Sequence, residues 1–161
     1  MAKEKFPITP AIRLLRQKKI DFTPHLYAYE EKGGTTVSAR ELGVDEHGVI
    51  KTLIMEDDGK QPLIILMHGD RQVSTRELAR QISARSVTPC AVDVANRHSG
   101  YLVGGTSPLA TRRPMPVYVE ASILELPRIY LNGGKRGFLI GIAPEVLTTL
   151  LNATPVNVAQ S

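Results

Sequence analysis

Lys51 is the side chain most at odds with its neighbours. It lies in VIKTLIME (residues 49–56), where Val49, Lys51, Leu53 and Met55 alternate with Ile50, Thr52 and Ile54. Both faces of this strand pattern are apolar, as in a strand covered on two sides. A lysine there must find a partner, run its stem out to water, or lose its proton. It is either an edge lysine that reaches solvent or an amine placed in a cleft against a ligand carbonyl or amine. A second feature is GYLVGGTSP. Gly104 and Gly105 expose backbone N–H groups without side-chain obstruction, and Pro108 stiffens the exit from the loop. Such a loop can receive an anion or a developing oxyanion, and it can equally be a bulge or turn that closes a strand. A third is NGGKRG (132–137), where Asn-Gly between apolar runs signals a hairpin. Lys135 and Arg136, at or near its tip, can touch phosphate or only water.

Other catalytic patterns are missing. His25, His47, His68 and His98 are scattered, with no HExxH and no Cys/His pairs at zinc spacing, so no metal site is expected. There is no GxSxG, no Walker A pattern and no GxGxxG after a strand, and no cofactor is implied. The single cysteine, Cys90, follows Pro89 in an apolar stretch with no base beside it and reads as a packing residue.

The elements that must carry these groups are short. Thr9-Pro10 before AIRLLRQKK gives an N-cap, a proline at the first helical position and an amphipathic helix. Residues 22–29 read as a strand and Gly33-Gly34-Thr35-Thr36 as a flexible connection. Ser38 with Glu41 makes a capping box for a helix that stops at Gly43, and Ser74 with Glu77 makes a second one. Residues 49–56 and 62–69 form a hairpin around DDGK. A short stretch follows at Val87–Ala91, then a helix near 93–97 capped by Asp93 and a loop-strand unit over SGYLVGGTSPL. VYVEAS, RIYLN and FLIGI are strands, with a turn at Asn132-Gly133-Gly134. The helix PEVLTTLLN closes the chain, with Val146, Leu147, Leu150 and Leu151 on one stripe. Six or seven strands with four short helices, and more hairpins than βαβ units, predict an α+β fold. Its sheet should be mixed, mostly antiparallel and partly barrel-like, with short flanking helices.

The 161 residues suit a single domain over 1–161, with its core at about 8–155. No apolar run reaches membrane-helix length, and the basic N-terminus MAKEKFPITP has no apolar h-region after it. One cysteine fits a reducing, cytoplasmic setting. A net charge of +4 is compatible with an anionic partner without demanding one. With no Trp and 5% aromatic residues, a base-stacking platform for single strands is not expected.

TPAIRLLRQKKI, HLYAYE, VIKTLI, SGYLVGGTSPL and IYLNGGKRG, in this order and spacing, resemble the YbaK/EbsC-type Cys-tRNA(Pro)/Cys-tRNA(Cys) deacylases. These belong to the superfamily of prolyl-tRNA synthetase editing domains, and the likeness covers about residues 8–155. It implies a trans-editing deacylase that removes cysteine from Cys-tRNA(Pro), and also from Cys-tRNA(Cys), using the substrate's own thiol. Lys51 stands where the family has its essential lysine. Gly104, Gly105, Thr106, Ser107 and Pro108 stand where the superfamily has a GxxxP loop against the aminoacyl end. Tyr27 matches a pocket tyrosine, and the hairpin with Gly133 and Gly134 borders the same cleft. The implied partners are the 3′ aminoacyl end of tRNA and prolyl-tRNA synthetase, in a transient ternary complex with a monomeric editing domain and without a membrane. Arg112, Arg113, Lys135 and Arg136 are the candidate tRNA or synthetase contacts. Leu139 stands where some relatives have Asp or Ser, and Gly-Gly-Thr-Thr where many have an Asn-Phe pair. Two alternatives remain: a deacylase for another small residue, such as Ala-tRNA(Pro), and a non-catalytic tRNA- or synthetase-binding module.

Overall fold

Thr9 and Pro10 start the first helix as their types require. The Thr9 hydroxyl accepts from Ile12 N (3.2 Å), and α1 (Pro10–Gln17) buries Ala11, Ile12 and Leu15 completely. The computed structural model describes residues 5–161, so the first four residues of the N-terminal segment lie outside it. Strand β1 (Thr23–Leu26) is shorter than the expected 22–29, because the chain leaves the sheet at Tyr27.

The helix α2 (Gly34–Leu42) corrects two expectations. Gly33–Thr36 is no flexible connection: Gly33 sits at the N-cap and the helix begins at Gly34. Thr35 Oγ1 pins this start by bonding to Glu46 Oε2 (2.7 Å) and Gly69 O (3.2 Å). Ser38 is then inside the helix and caps nothing, since its hydroxyl donates back to Gly34 O and Thr35 O. Gly43 ends the helix as expected, at φ 66°.

Strands β2 (Ile50–Asp57) and β3 (Pro62–His68) form the predicted hairpin, with Lys51 opposite Met67 and every residue of β3 buried. After the short β4 (Gln72–Val73), α3 (Thr75–Gln81) is capped by Ser74, whose hydroxyl accepts from Glu77 N (3.2 Å). Strand β5 (Val87–Pro89) follows, then α4 (Val92–Ser99), whose N-cap is Ala91 while Asp93 lies in its first turn. SGYLVGGTSPL contains no strand and folds as a series of turns. Next are β6 (Val117–Glu120), β7 (Ile129–Lys135), β8 (Phe138–Ile142), α5 (Glu145–Thr149), β9 (Thr154–Val156) and β10 (Ala159–Gln160). Asn132-Gly133-Gly134 is a bulge within β7 rather than the turn. The register shifts between Asn132 and Lys135, and the chain reverses at Arg136-Gly137.

The fold is α+β, with more strands than expected because several have only two or three residues. One mixed sheet has the order β5-β2-β3-β6-β9, a second is β1-β8-β7, and β10 pairs with β4. Among the described residues a single parallel bridge, Val49 to Tyr130, joins the two larger sheets, which meet at an edge without closing a barrel there. The main core lies on the β2 face that carries Ile50 and Ile54, together with α1 and the inner residues of β7 and β8. The opposite face is covered by two smaller clusters. Val49 belongs to one with Ala39 and Leu139, and Met55 to the other with Leu63, Ile65 and Met67.

The two serines provide a test. Ser74→Ala should cost about 1 kcal/mol in denaturant unfolding, the usual value of an N-cap hydroxyl. Ser38→Ala should stay within about 0.5 kcal/mol of wild type, because its bonds go to carbonyls that the helix already serves. Equal losses would return Ser38 to the capping role expected from the sequence.

Candidate active site

Lys51 lies between the two smaller clusters, half-buried, with Val49 before it and Leu53 after it on the same face. Its Nζ donates to Arg71 O at 2.6 Å, and among the described residues it forms no close ion pair. Burial lowers its pKa below that of an ordinary lysine, and the charges of Glu46 and Asp70 pull it back up in part. The backbone beside it is open. On that edge of β2, Val49 bridges Tyr130 and β5 takes up Met55–Asp57, and among the described residues no strand pairs with Lys51 there.

Strand β7 leaves the Val49–Tyr130 bridge in the same direction as β2. Tyr130 packs in the cluster with Val49, so two residues further on Asn132 occupies the face that Lys51 occupies on β2. The Asn132 side chain holds two structures together. Its Oδ1 accepts from Gly134 N (2.7 Å) and Lys135 N (3.1 Å), which builds the bulge, and its Nδ2 donates to Gly104 O (3.1 Å). Arg136 adds a second tie, from Nε to Val103 O (3.0 Å), with its guanidinium 5.5 Å from the centre of the Tyr29 ring. The glycine loop is therefore bound to the β7–β8 hairpin.

Within the loop, Gly104 is exposed at φ +94°, and a Cβ there would lie 2.6 Å from Tyr29 Oη. Gly105 is buried, and its Cβ would come within 2.6 Å of Arg136 N. Thr106 is half-exposed and its hydroxyl makes only a long bond to Leu102 O (3.5 Å). Ser107 and Pro108 turn inward. The Ser107 hydroxyl accepts from Leu109 N (3.0 Å), and Tyr101 donates to Leu109 O (2.6 Å), its phenol pushed up to about 12 by burial. Gly133 and Gly134 also face inward, against Phe138, Tyr101 and Thr9.

Of the residues picked out in the sequence, Gly104, Gly105, Lys135 and Arg136 come together, with Lys51 on the adjoining face. The Tyr27 ring packs with Ala39, Val49 and Leu139; burial raises its pKa, and it stays a neutral phenol. A groove of about 500 Å3 opens beside the hairpin tip, floored by Phe6, Leu26 and Tyr29 and rimmed by Lys5, Lys135 and Arg136. Arg112 and Arg113 lie elsewhere, bonded through their amides to Ser99 O and His98 O at the end of α4. Cys90 packs against the main core, and burial pushes its thiol up, away from nucleophilic use.

Sequence reasoning missed Asn132 as a brace, Tyr29 as the platform for Arg136, and the Arg71 carbonyl. It also missed a cluster beside Lys51. His47 Nδ1 lies 2.8 Å from Asp70 Oδ1, and the His47 ring stacks on His68 at 3.7 Å with 7° between planes. These three side chains bring their ligand atoms within 4.8 Å of one another, as a metal trio would. Near-parallel rings, however, keep their in-plane lone pairs in separate, nearly parallel planes, which do not converge on one ion. Both His68 nitrogens are also engaged, with His47 O and Ser122 Oγ, each at 2.7 Å. The arrangement fits a hydrogen-bonded stack better than an ion.

Valine at either glycine tests the weld between loop and hairpin. Gly104→Val meets Tyr29 in a left-handed backbone, and Gly105→Val meets hairpin backbone, so each should lower the deacylation that the resemblance implies by roughly 10- to 100-fold through misplacement. Thr106→Ala should stay near wild type. Normal turnover by both valine variants would leave the loop as a turn only.

Residues 30–150 match the family described as the aminoacyl-tRNA editing domain. EbsC of Enterococcus faecalis, whose name carries a provisional Cys-tRNA(Pro)/Cys-tRNA(Cys) deacylase assignment, is 27% identical over 154 residues, with 94% of each chain covered. A proline–tRNA ligase of Streptococcus agalactiae is 24% identical over 140 residues, which take in 86% of this chain and 21% of the ligase. A solved structure provisionally described as a trans-editing enzyme for prolyl tRNA synthetase shares the fold. Its TM-score is 0.80 at 16% identity, over 94% of this chain and 98% of the other. With residues 30–150 matched, well over half its length, the chain belongs to the aminoacyl-tRNA editing domain family.

Proposed function

We propose that the chain acts in trans on mischarged tRNA, removing cysteine from Cys-tRNA(Pro) and also from Cys-tRNA(Cys). The observation that carries this reading is Lys51, a half-buried ammonium on an otherwise apolar face, held by a backbone carbonyl and, among the described residues, without an activated protein nucleophile bonded to it. A cysteinyl ester supplies its own nucleophile. The substrate sulfur attacks the ester carbonyl, a C–S bond forms, the C–O bond to the ribose breaks, and the thiol proton ends on the ribose hydroxyl. Water then opens the released thiolactone. The protein's part is orientation and charge. Lys51 faces the carbonyl oxygen as negative charge grows on it, and exposed Gly104 steadies the scissile end. Buried Gly105 already donates its amide to Leu102 O (2.7 Å) and acts only by letting the hairpin approach.

The nearest thing to a protein nucleophile is Ser122, whose Oγ lies 2.7 Å from His68 Nε2. That hydroxyl also lies 3.3 Å from Glu120 Oε2, and His68 is 1% exposed. The pair ties β3 to the turn after β6 and offers an ester no approach to its base. Water attack on an alanyl ester is the second reading, and the substrate thiol separates the two.

The first test is a panel of Cys-, Ala- and Pro-charged tRNA(Pro). Lys51→Ala should abolish turnover of the cysteinyl ester while the melting curve is kept. Lys51→Arg should fail as well, because a planar fork replaces a compact ammonium. Cys90→Ser should keep full activity. Equal loss of alanine and cysteine would favour water attack, and a folded, fully active Lys51→Ala would remove the lysine from the reaction.

A second test concerns the partner. The surplus charge is only +4, so free tRNA should bind weakly and lose affinity steeply with salt, with prolyl-tRNA synthetase supplying tRNA selection. Arg136 holds the glycine loop, so Lys135 is the cleaner probe. Lys135→Gln should reduce the salt slope by about one while the single-turnover rate at saturation holds. Unaided discrimination of tRNA(Pro) from tRNA(Cys) by the domain would overturn this division of labour.

A further inference from the structure

Asp70 acts on Lys51 from outside its own strand, and His47 holds Asp70. Lys51 Nζ has one hydrogen-bond acceptor, Arg71 O, in the turn that follows β3. A lysine stem is long and rotatable, so the ammonium is placed only as well as that carbonyl is placed. The Gly69–Arg71 turn is held on several sides. Gly69 N donates to Val49 O (2.7 Å), Thr35 Oγ1 donates to Gly69 O (3.2 Å), and a Cβ at Gly69 would meet Glu46 O at 2.8 Å. Asp70 Oδ1 lies 2.8 Å from His47 Nδ1, and Asp70 Oδ2 accepts from Arg71 Nη1 (3.2 Å). His47 is fixed in turn. Its N–H donates to Asp45 Oδ1 (3.0 Å), and its ring lies flat on buried His68, whose Nδ1 reaches back to His47 O.

We propose that Asp70 and His47 are positioning residues for Lys51, fixing through their contact the turn whose Arg71 carbonyl aims the ammonium. The inference rests on the reading of Lys51 as the group that meets the substrate carbonyl. The alternative is a contact that serves folding alone. The His47 and Asp70 side chains are 34% and 31% exposed, and pairs in contact with water contribute little to stability. A placement role and a folding role therefore give different results. The charged groups around Lys51 are Glu46 and Asp70, which favour its protonated form, with Arg71 and His47 at the same turn. His68, beneath the stack, has its pKa lowered by burial and stays neutral, so the stack carries at most the one charge on His47.

The experiment compares Asp70→Asn, His47→Gln and Lys51→Ala in the full chain with Cys-tRNA(Pro), and follows the Lys51 side chain by NMR titration of labelled lysine. For Asp70→Asn and His47→Gln, kcat should fall roughly 10- to 100-fold with KM within about twofold, and the melting curve should barely move. Asp70→Asn removes an anion that favours the ammonium, so Lys51 should titrate at lower pH than in wild type. His47→Gln keeps the carboxylate and should move that titration less while still costing rate. Wild-type kcat and an unchanged Lys51 titration in both variants, with Lys51→Ala inactive, would overturn the positioning role. An active Lys51→Ala would instead strike the catalytic reading, and the titration would still report whether Asp70 and His47 set the lysine's environment. Loss of rate matched by loss of folded protein in both variants would assign the contact to folding.

Discussion

Between Val49 and Met55, one edge of β2 has no partner strand among the described residues. The parallel bridge from Val49 to Tyr130 holds one end, and β5 holds the other at Met55. The stretch between contains Lys51, whose charge cannot sit in either flanking apolar cluster without loss of solvation. The ammonium runs not into that gap but to the β3 side of the sheet, where Arg71 O in the turn after β3 accepts from Nζ (2.6 Å), and burial still lowers its pKa.

The remaining groups of the site are fixed from the sides of this gap, and each is fixed mainly through the backbone. Asn132 is spent on two amides and a carbonyl, Arg136 on a carbonyl, and Lys51 on another carbonyl. Such contacts survive changes in neighbouring side chains but depend on how closely the main chains approach. That dependence explains the glycines. Gly105 and Gly104 sit where a Cβ would strike Arg136 N or Tyr29 Oη, while Gly133 and Gly134 admit Phe138 and Tyr101 from the interior. The loop and the hairpin are thus tied together and anchored in the main core, with Asn132 on the face that Lys51 occupies on β2.

Local signals in the sequence carried the hairpin of β2 and β3, the caps at Thr9 and Ser74, and the odd position of Lys51. They failed where one residue type serves two geometries. Asn132-Gly133 signals a tight turn, but the same amide side chain can close a bulge, and only the partner at Gly104, far along the chain, decides which. Ser38 with Glu41 has the spacing of a capping box, yet the contact of Thr35 with Glu46 and Gly69 starts the helix four residues earlier than Ser38. His47 and Asp70 carry no motif at all. They are 23 positions apart and meet because the β2–β3 hairpin folds its two ends together.

The composition of the cleft wall bears on how such a site could choose its substrate. Tyr27, Val49, Leu139 and Tyr130 form one apolar cluster beside Lys51, in which Val49 and Leu139 are buried and only the half-buried Tyr27 and Tyr130 are open to a ligand. A wall of this kind can refuse a larger side chain by collision. It gains little against a smaller one, because a missing methylene-sized group costs only about 1–3 kcal/mol in an apolar pocket. Alanine would therefore enter almost as readily as cysteine, and a site built on fit alone would strip both. On the proposed reading, discrimination moves from binding to chemistry, since alanine can occupy the pocket but brings no thiol to attack its own ester. Placement of the carbonyl then matters more than tightness of the wall, which is consistent with a site whose strongest contacts hold backbone and lysine in place.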